Sequence, residues 1–232
     1  MHRSVRAVLT SSVLWALVGA AGVAGAAVRV PQVPVAGTAL STFLQSQGQA
    51  INVNTDQVDA QRQAVPNTTN FQMFTYGPGV GSTSVGLYNA ALAAPALFQI
   101  MPVAVAPGWF AIAAFRTAPT RLVVNLFDAA TALQSTTTHV GADATDFSFY
   151  ATGAAGTSWQ QDSRNAAGAV RMLVFNGTGT KSGNTWLAFE TSATGAADYA
   201  DLIALVNLSL SPVSDAKTTW GRVKALFQGR AR

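Results

Sequence analysis

From residue 70 onward the chain is a series of short apolar or alternating blocks, at 70–76, 84–88, 96–105, 109–115, 121–127, 147–150, 171–175, 185–190 and 202–210, with Gly, Pro, Asn and Asp between nearly all of them. Blocks of this kind, rich in Val, Phe, Tyr, Thr and Ile, predict strands, and their number and spacing predict an all-β fold, an antiparallel β-sandwich or jelly roll. Two segments before residue 70 carry other patterns. In 38–47, Leu40, Phe43 and Leu44 fall at helical spacing with Gly48 placed to end a short helix. In 51–59, Ile51, Val53 and Val58 alternate with polar residues, which predicts a strand with one wet face. The Pro-interrupted stretch 28–37 reads as a linker, 91–97 fits a helical turn, and the Thr-rich stretch 129–146 reads as an exposed loop or edge hairpin.

The two ends differ from this body. A basic opening with Arg3 and Arg6 leads into an uncharged apolar stretch over 7–24, and Ala24-Gly25-Ala26 supplies the small-residue pattern of a cleavage site, so 1–26 reads as a secretory signal peptide cut near Ala26. At the other end, Trp220, Val223, Leu226 and Phe227 share one helical face and the opposite face is basic, which predicts a short helical tail. The expected organisation is therefore a leader (1–26), a lead-in with a short helix (27–50), a sandwich (51–212) and a basic amphipathic tail (213–232). Membrane and sorting machinery are the candidate contacts for the tail.

Composition narrows the class. With no cysteine, an exported protein of this size is held without disulfides, and zinc–cysteine sites and thiol nucleophiles are excluded. The basic balance of the whole chain comes from its ends. Between residues 27 and 216 there are six Arg and one Lys against nine Asp and one Glu, a net charge of about −3, so the body offers no basic stripe for nucleic acid. Cell-envelope or matrix polymers are the better candidate partners.

No catalytic constellation stands out. A Gly-x-Ser-x-Gly elbow is missing, Gly81-Ser-Thr-Ser84-Val-Gly86 being the nearest approach, and His139 is the one histidine beyond the leader. Glycoside hydrolysis requires facing carboxyl groups, and the chain has a single glutamate, Glu190. The Gly-rich run over 77–81 is followed by no Lys-Ser/Thr and does not read as a phosphate loop.

The chemistry-bearing segment is acidic. Trp186-Leu-Ala-Phe-Glu190 ends on a carboxylate, and a small-residue loop then leads into Asp198-Tyr-Ala-Asp201-Leu-Ile. A hard cation such as calcium takes several oxygens from a loop of this kind, and Glu190, Asp198 and Asp201 are the candidate ligands. The competing reading is that Asp198 caps a turn and Asp201 accepts backbone amides.

These residues resemble a family of exported bacterial domains of unknown function (domain of unknown function 4114), in which a Trp-x-x-Ala-Phe-Glu-Asp strand leads through a Gly/Asp loop into Asp-x-Asp-Tyr-Asn-Asp-Leu-Val. Upstream, Phe147-Ser-Phe-Tyr150, the run from Ser158 through Asp162 to Asn165, and Arg171-Met-Leu-Val-Phe175 follow the same family order, so that the resemblance covers about 71–210. It implies a β-sandwich of secreted or surface-displayed proteins, with acidic residues binding calcium and no catalytic role. It also adds Asp162 as a weaker fourth ligand. Thr191 and Ala196 stand where the family carries Asp, which weakens the cation site.

The sequence thus leads to the expectation of an exported, non-enzymatic structural or adhesive module, with calcium as its candidate cofactor. The alternative is a carbohydrate-binding or carbohydrate-cleaving sandwich in which Trp109, Trp159 or Trp186 forms a sugar platform.

Overall fold

The computed structural model describes residues 27–76, 83–102, 108–117, 120–153, 156–192, 196–207 and 211–212. The leader, the Gly-rich run at 77–81 and the C-terminal tail lie outside the described residues. In chain order the elements are α1 (Ala39–Ser46), β1 (Gln63–Ala64), β2 (Asn70–Tyr76), β3 (Ser84–Asn89), β4 (Leu97–Met101), β5 (Phe110–Thr117), β6 (Thr120–Phe127), β7 (Leu133–Val140), β8 (Phe147–Gly153), β9 (Gly156–Trp159), β10 (Met172–Asn176), β11 (Thr185–Phe189), β12 (Leu202–Val206) and β13 (Ser211–Pro212). They form two antiparallel sheets. One is ordered β13-β1-β8-β3-β4 with β9 also paired to β8, and the other β10-β11-β12-β2-β5-β6-β7.

Alternation decides which side chains meet between the sheets. Phe71, Met73, Phe115, Leu122, Val124, Leu126, Leu187 and Phe189 from the larger sheet pack against Val85, Leu87, Phe98, Ile100, Phe147 and Phe149 from the smaller one in a single buried cluster. Burying each such side chain contributes roughly 1.5–3 kcal/mol. Gly86 of β3 sits at a register shift in the β3–β4 pair, and a Cβ there would run into the carbonyl oxygen of Phe98 and the ring of Tyr150.

Three strands of the larger sheet are buried on both faces, in keeping with their unbroken apolar runs: β10 apart from its last residue, and all of β11 and β12. Their outer face is covered by the N-terminal segment, where Leu40 and Leu44 of α1, Ile51 and Val53 pack against Leu173, Phe175, Trp186, Ile203 and Leu205. The helix therefore sits where the spacing of its leucines predicts. The stretch after residue 27 is not a free linker. The Val33 amide donates to the Gln57 side chain (2.9 Å), whose own amide donates to the carbonyls of Val33 (2.7 Å) and Val53 (2.8 Å).

Residues 51–59 do not form the expected strand. Asx chemistry folds them into a turn: Asp56 accepts the Asn52 amide (2.8 Å), the Asn52 side chain accepts the Asn54 amide (3.0 Å), and the Asp56 amide returns to the Asn52 carbonyl (2.9 Å). Val58 continues inward to the main core, and isolated bridges at Gln57 and Val58 replace the strand. Residues 91–97 contain no helix.

The polar stretch after β6 supplies the edge strand β7, nearly all of it exposed. Asp128 closes the hairpin by accepting the amides of Ala130 and Ala132, both at 2.9 Å. His139 lies on this strand. Its Nε2–H donates to the Gln99 carbonyl (2.9 Å) and its ring lies 5.7 Å from that of Phe98, so it links the two sheets at their edge.

Candidate functional site

The acidic segment is brought together by the β11–β12 pairing, which sets Phe189 opposite Leu202 and so places Glu190 beside Asp201. Glu190 is buried. Its Oε1 accepts the Ser192 amide (3.0 Å) and its Oε2 those of Asp198 (3.0 Å) and Tyr199 (3.4 Å). Asp201 Oδ2 accepts the amides of Thr191 (2.6 Å) and Ser192 (2.8 Å) together with both of their hydroxyls (3.2 and 2.8 Å). Asp198 turns to the Ala200 amide (2.9 Å), the capping role.

The two neighbouring carboxyl groups titrate as a pair. Burial raises the pKa of Glu190, and the hydrogen bond and charge of Asp201 raise it further against the pull of the Ser192 and Asp198 amides. For Asp201, burial acts upward but is outweighed by the hydrogen bonds from Ser192, Glu190 and Thr191, so its pKa is lowered. As pH falls, Glu190 is therefore the first of the pair to take up a proton.

Asp162 is held elsewhere. It forms an ion pair with Arg29, its Oδ2 accepts the Gln61 amide group (3.1 Å), and burial raises its pKa against the lowering effect of Arg29. Among the described residues, no three of the acidic or histidine side chains gather into a group that could hold a metal ion. The groups that meet the Glu190 and Asp201 oxygens are N–H and O–H donors, whose positive ends point where a cation would have to sit.

The three tryptophans considered for a sugar platform are separated. Trp186 is fully buried under α1 and Trp109 packs against the main core. Trp159, at the end of β9, is half-buried and lines an open cleft of about 660 Å³ with Ala93, Ala94, Pro95, Gln161, Ser163 and Arg164. Sequence reasoning named Trp159 but missed the others. The dense polar and aromatic run over 159–165 was the available signal.

Several contacts fix this cleft. Asn165 pairs with both the amide and the carbonyl of Trp159, each at 2.9 Å, as a neighbouring strand would. Tyr88 meets the indole edge-on at 4.9 Å, and the Arg164 guanidinium lies 5.1 Å from the Tyr88 ring centre and 5.7 Å from that of Trp159. Arg164 also donates to the carbonyls of Ala90 (3.0 Å), Leu92 and Ala93 (3.2 Å), clamping the loop after β3 to the turn after β9. Burial pushes the Tyr88 phenol up to about 12, so at neutral pH its O–H remains a donor to Gln161 Oε1 (3.1 Å).

The chain matches no family model, and no curated protein matches it.

Proposed function

We propose that this chain is an exported, non-enzymatic structural or adhesive module of the cell surface or matrix, akin to the exported β-sandwich domains its acidic segment resembles. The observation that carries the reading is the use made of the acidic residues. Glu190, Asp198 and Asp201 accept the amides of their own loop and Asp162 is paired with Arg29, so each is engaged in holding backbone or a partner chain segment in place. Three strands buried on both faces and loops locked by carboxylates suit a part that resists deformation. The described loop is closed by its own donors, and calcium, the cofactor expected from the sequence, would add to that closure rather than replace it.

Export is tested by expressing the full chain in a bacterial host and determining the N-terminus of the product in each fraction. An extracytoplasmic protein beginning at or near Ala27 is expected. A cytosolic product that retains the leader would overturn the reading.

A further inference from the structure

We infer that the Trp159 cleft binds a short acidic glycan, with the indole carrying the face of a pyranose ring and Arg164 meeting a uronate carboxylate. The inference rests on the proposed role as an exported module that meets polymers, and it names the ligand class.

Polar groups around the cleft lack protein partners among the described residues or meet only neutral ones. Arg164 has five N–H donors, and four are used: Nε on Gln161 Oε1 (2.6 Å), one Nη1 hydrogen on the Ala93 carbonyl, and Nη2 on the carbonyls of Ala90 and Leu92. Arg164 also acts on the Tyr88 phenol, through a side-chain hydrogen bond and its charge. All four acceptors are neutral. The ion pairs formed by described residues are Arg29–Asp162 and Arg62–Asp146, which leaves the charge of Arg164 without a carboxylate. Gln161 Nε2 and the Ser163 hydroxyl, both in the lining, likewise have no partner among the described residues.

The cleft thus presents a half-buried indole with the Arg164 guanidinium over its ring, two unused donors and one positive charge without a carboxylate. A sugar matches each of these, since its C–H face is apolar, its hydroxyls accept hydrogen bonds, and a uronate adds the anion. Because Asn165 and the Arg164 clamp already hold the walls, little ordering cost remains for binding. A volume of about 660 Å³ suits one to a few sugar rings. Nucleic acid is disfavoured, since the body offers one isolated cation here and no basic stripe to follow a phosphate backbone.

The test is isothermal titration of the full chain with tri-galacturonate and, separately, with neutral maltotriose. Tri-galacturonate is expected to bind and maltotriose to bind at least about tenfold more weakly. Trp159→Ala is expected to weaken tri-galacturonate binding at least about tenfold, while Trp159→Phe retains most of it. Trp159 also packs on Tyr88, so a second variant guards against misfolding: Ser163→Phe, at an exposed position, fills the cleft and is expected to abolish binding with an unchanged unfolding midpoint. Both variants keep the basic tail, so binding that survives Ser163→Phe lies elsewhere and overturns the inference. Equal affinity for maltotriose, or no binding of either sugar, overturns it too. In each case the N-terminus of the exported product judges the broader proposal independently.

Discussion

Asp201→Ala isolates what the acidic loop does. In the folded chain one oxygen, Oδ2, accepts two amides and two hydroxyls, from Thr191 and Ser192. After truncation the hydroxyls turn to solvent at little cost, since Ser192 is exposed. The Thr191 amide loses its charged acceptor, worth roughly 1–1.5 kcal/mol after discounting for the partial exposure of Asp201, while the Ser192 amide keeps Glu190 Oε1 and loses about 0.5 kcal/mol. Against this, Glu190 is relieved of a neighbouring charge and recovers about 0.5 kcal/mol. The net loss is about 1–1.5 kcal/mol, or roughly 2–6 °C in unfolding midpoint for a domain of this size. Asp201→Asn, which keeps an acceptor without charge, should lose about half as much. The assay is urea and thermal unfolding of the full chain and both variants, with and without millimolar calcium. A loop held by a cation would behave differently, because wild type would gain stability with calcium by mass action and the variant would not. A loss below about 0.5 kcal/mol, or one seen only in the presence of calcium, would refute the reasoning.

Other expectations follow from the same contacts. Glu190 has a raised folded pKa, so its contribution is complete below the ordinary value of 4.5 and disappears as pH rises through the folded value; Asp201 has a lowered pKa, so its contribution is present above 3.8 and disappears as pH falls through its folded value. Stability from this loop should therefore peak at mildly acidic pH, and Glu190→Gln should remove the decline on the alkaline side in a pH series of denaturant unfolding; an unchanged slope in the variant would contradict the pairing. Leu44→Ala removes a fully buried side chain between α1 and the outer face of the larger sheet and should cost about 2–5 kcal/mol by the same assay. If the helix were merely resting on the surface, the loss would be near zero. Gly86→Ala forces a Cβ against the Phe98 carbonyl, and because backbone must move the loss should reach about 3 kcal/mol, with circular dichroism checking that the fold survives.

The positions of the strands were legible along the chain because burial on a pleated sheet has period two, and turn residues interrupt it wherever the chain must reverse. The blocks at 70–76 and 121–127 coincide with β2 and β6 to within a residue, and Leu40 and Leu44 marked the buried face of α1. Alternation misled at 51–59, where Asn52 and Asp56 reach back to their own backbone and turn the chain, while Ile51 and Val53 are still buried. Local polar chemistry and periodicity compete there, and a sequence shows both without showing which prevails.

The candidate site depended more heavily on tertiary structure. The sequence by itself placed Glu190, Asp198 and Asp201 within twelve residues of one another and Trp159 close to Gln161 and Arg164, which fixed the available chemistry. It could not fix the direction of that chemistry, because an acidic loop suits a cation or its own amides equally well until the β11–β12 register sets which donors face the oxygens. Nor could it separate Trp186 from Trp159, since both sit in strands and only the placement of α1 over one of them, and of open space beside the other, distinguishes a core side chain from a binding surface. Spacing along the chain determines which residues can be neighbours; the packing of distant segments determines which atoms they meet.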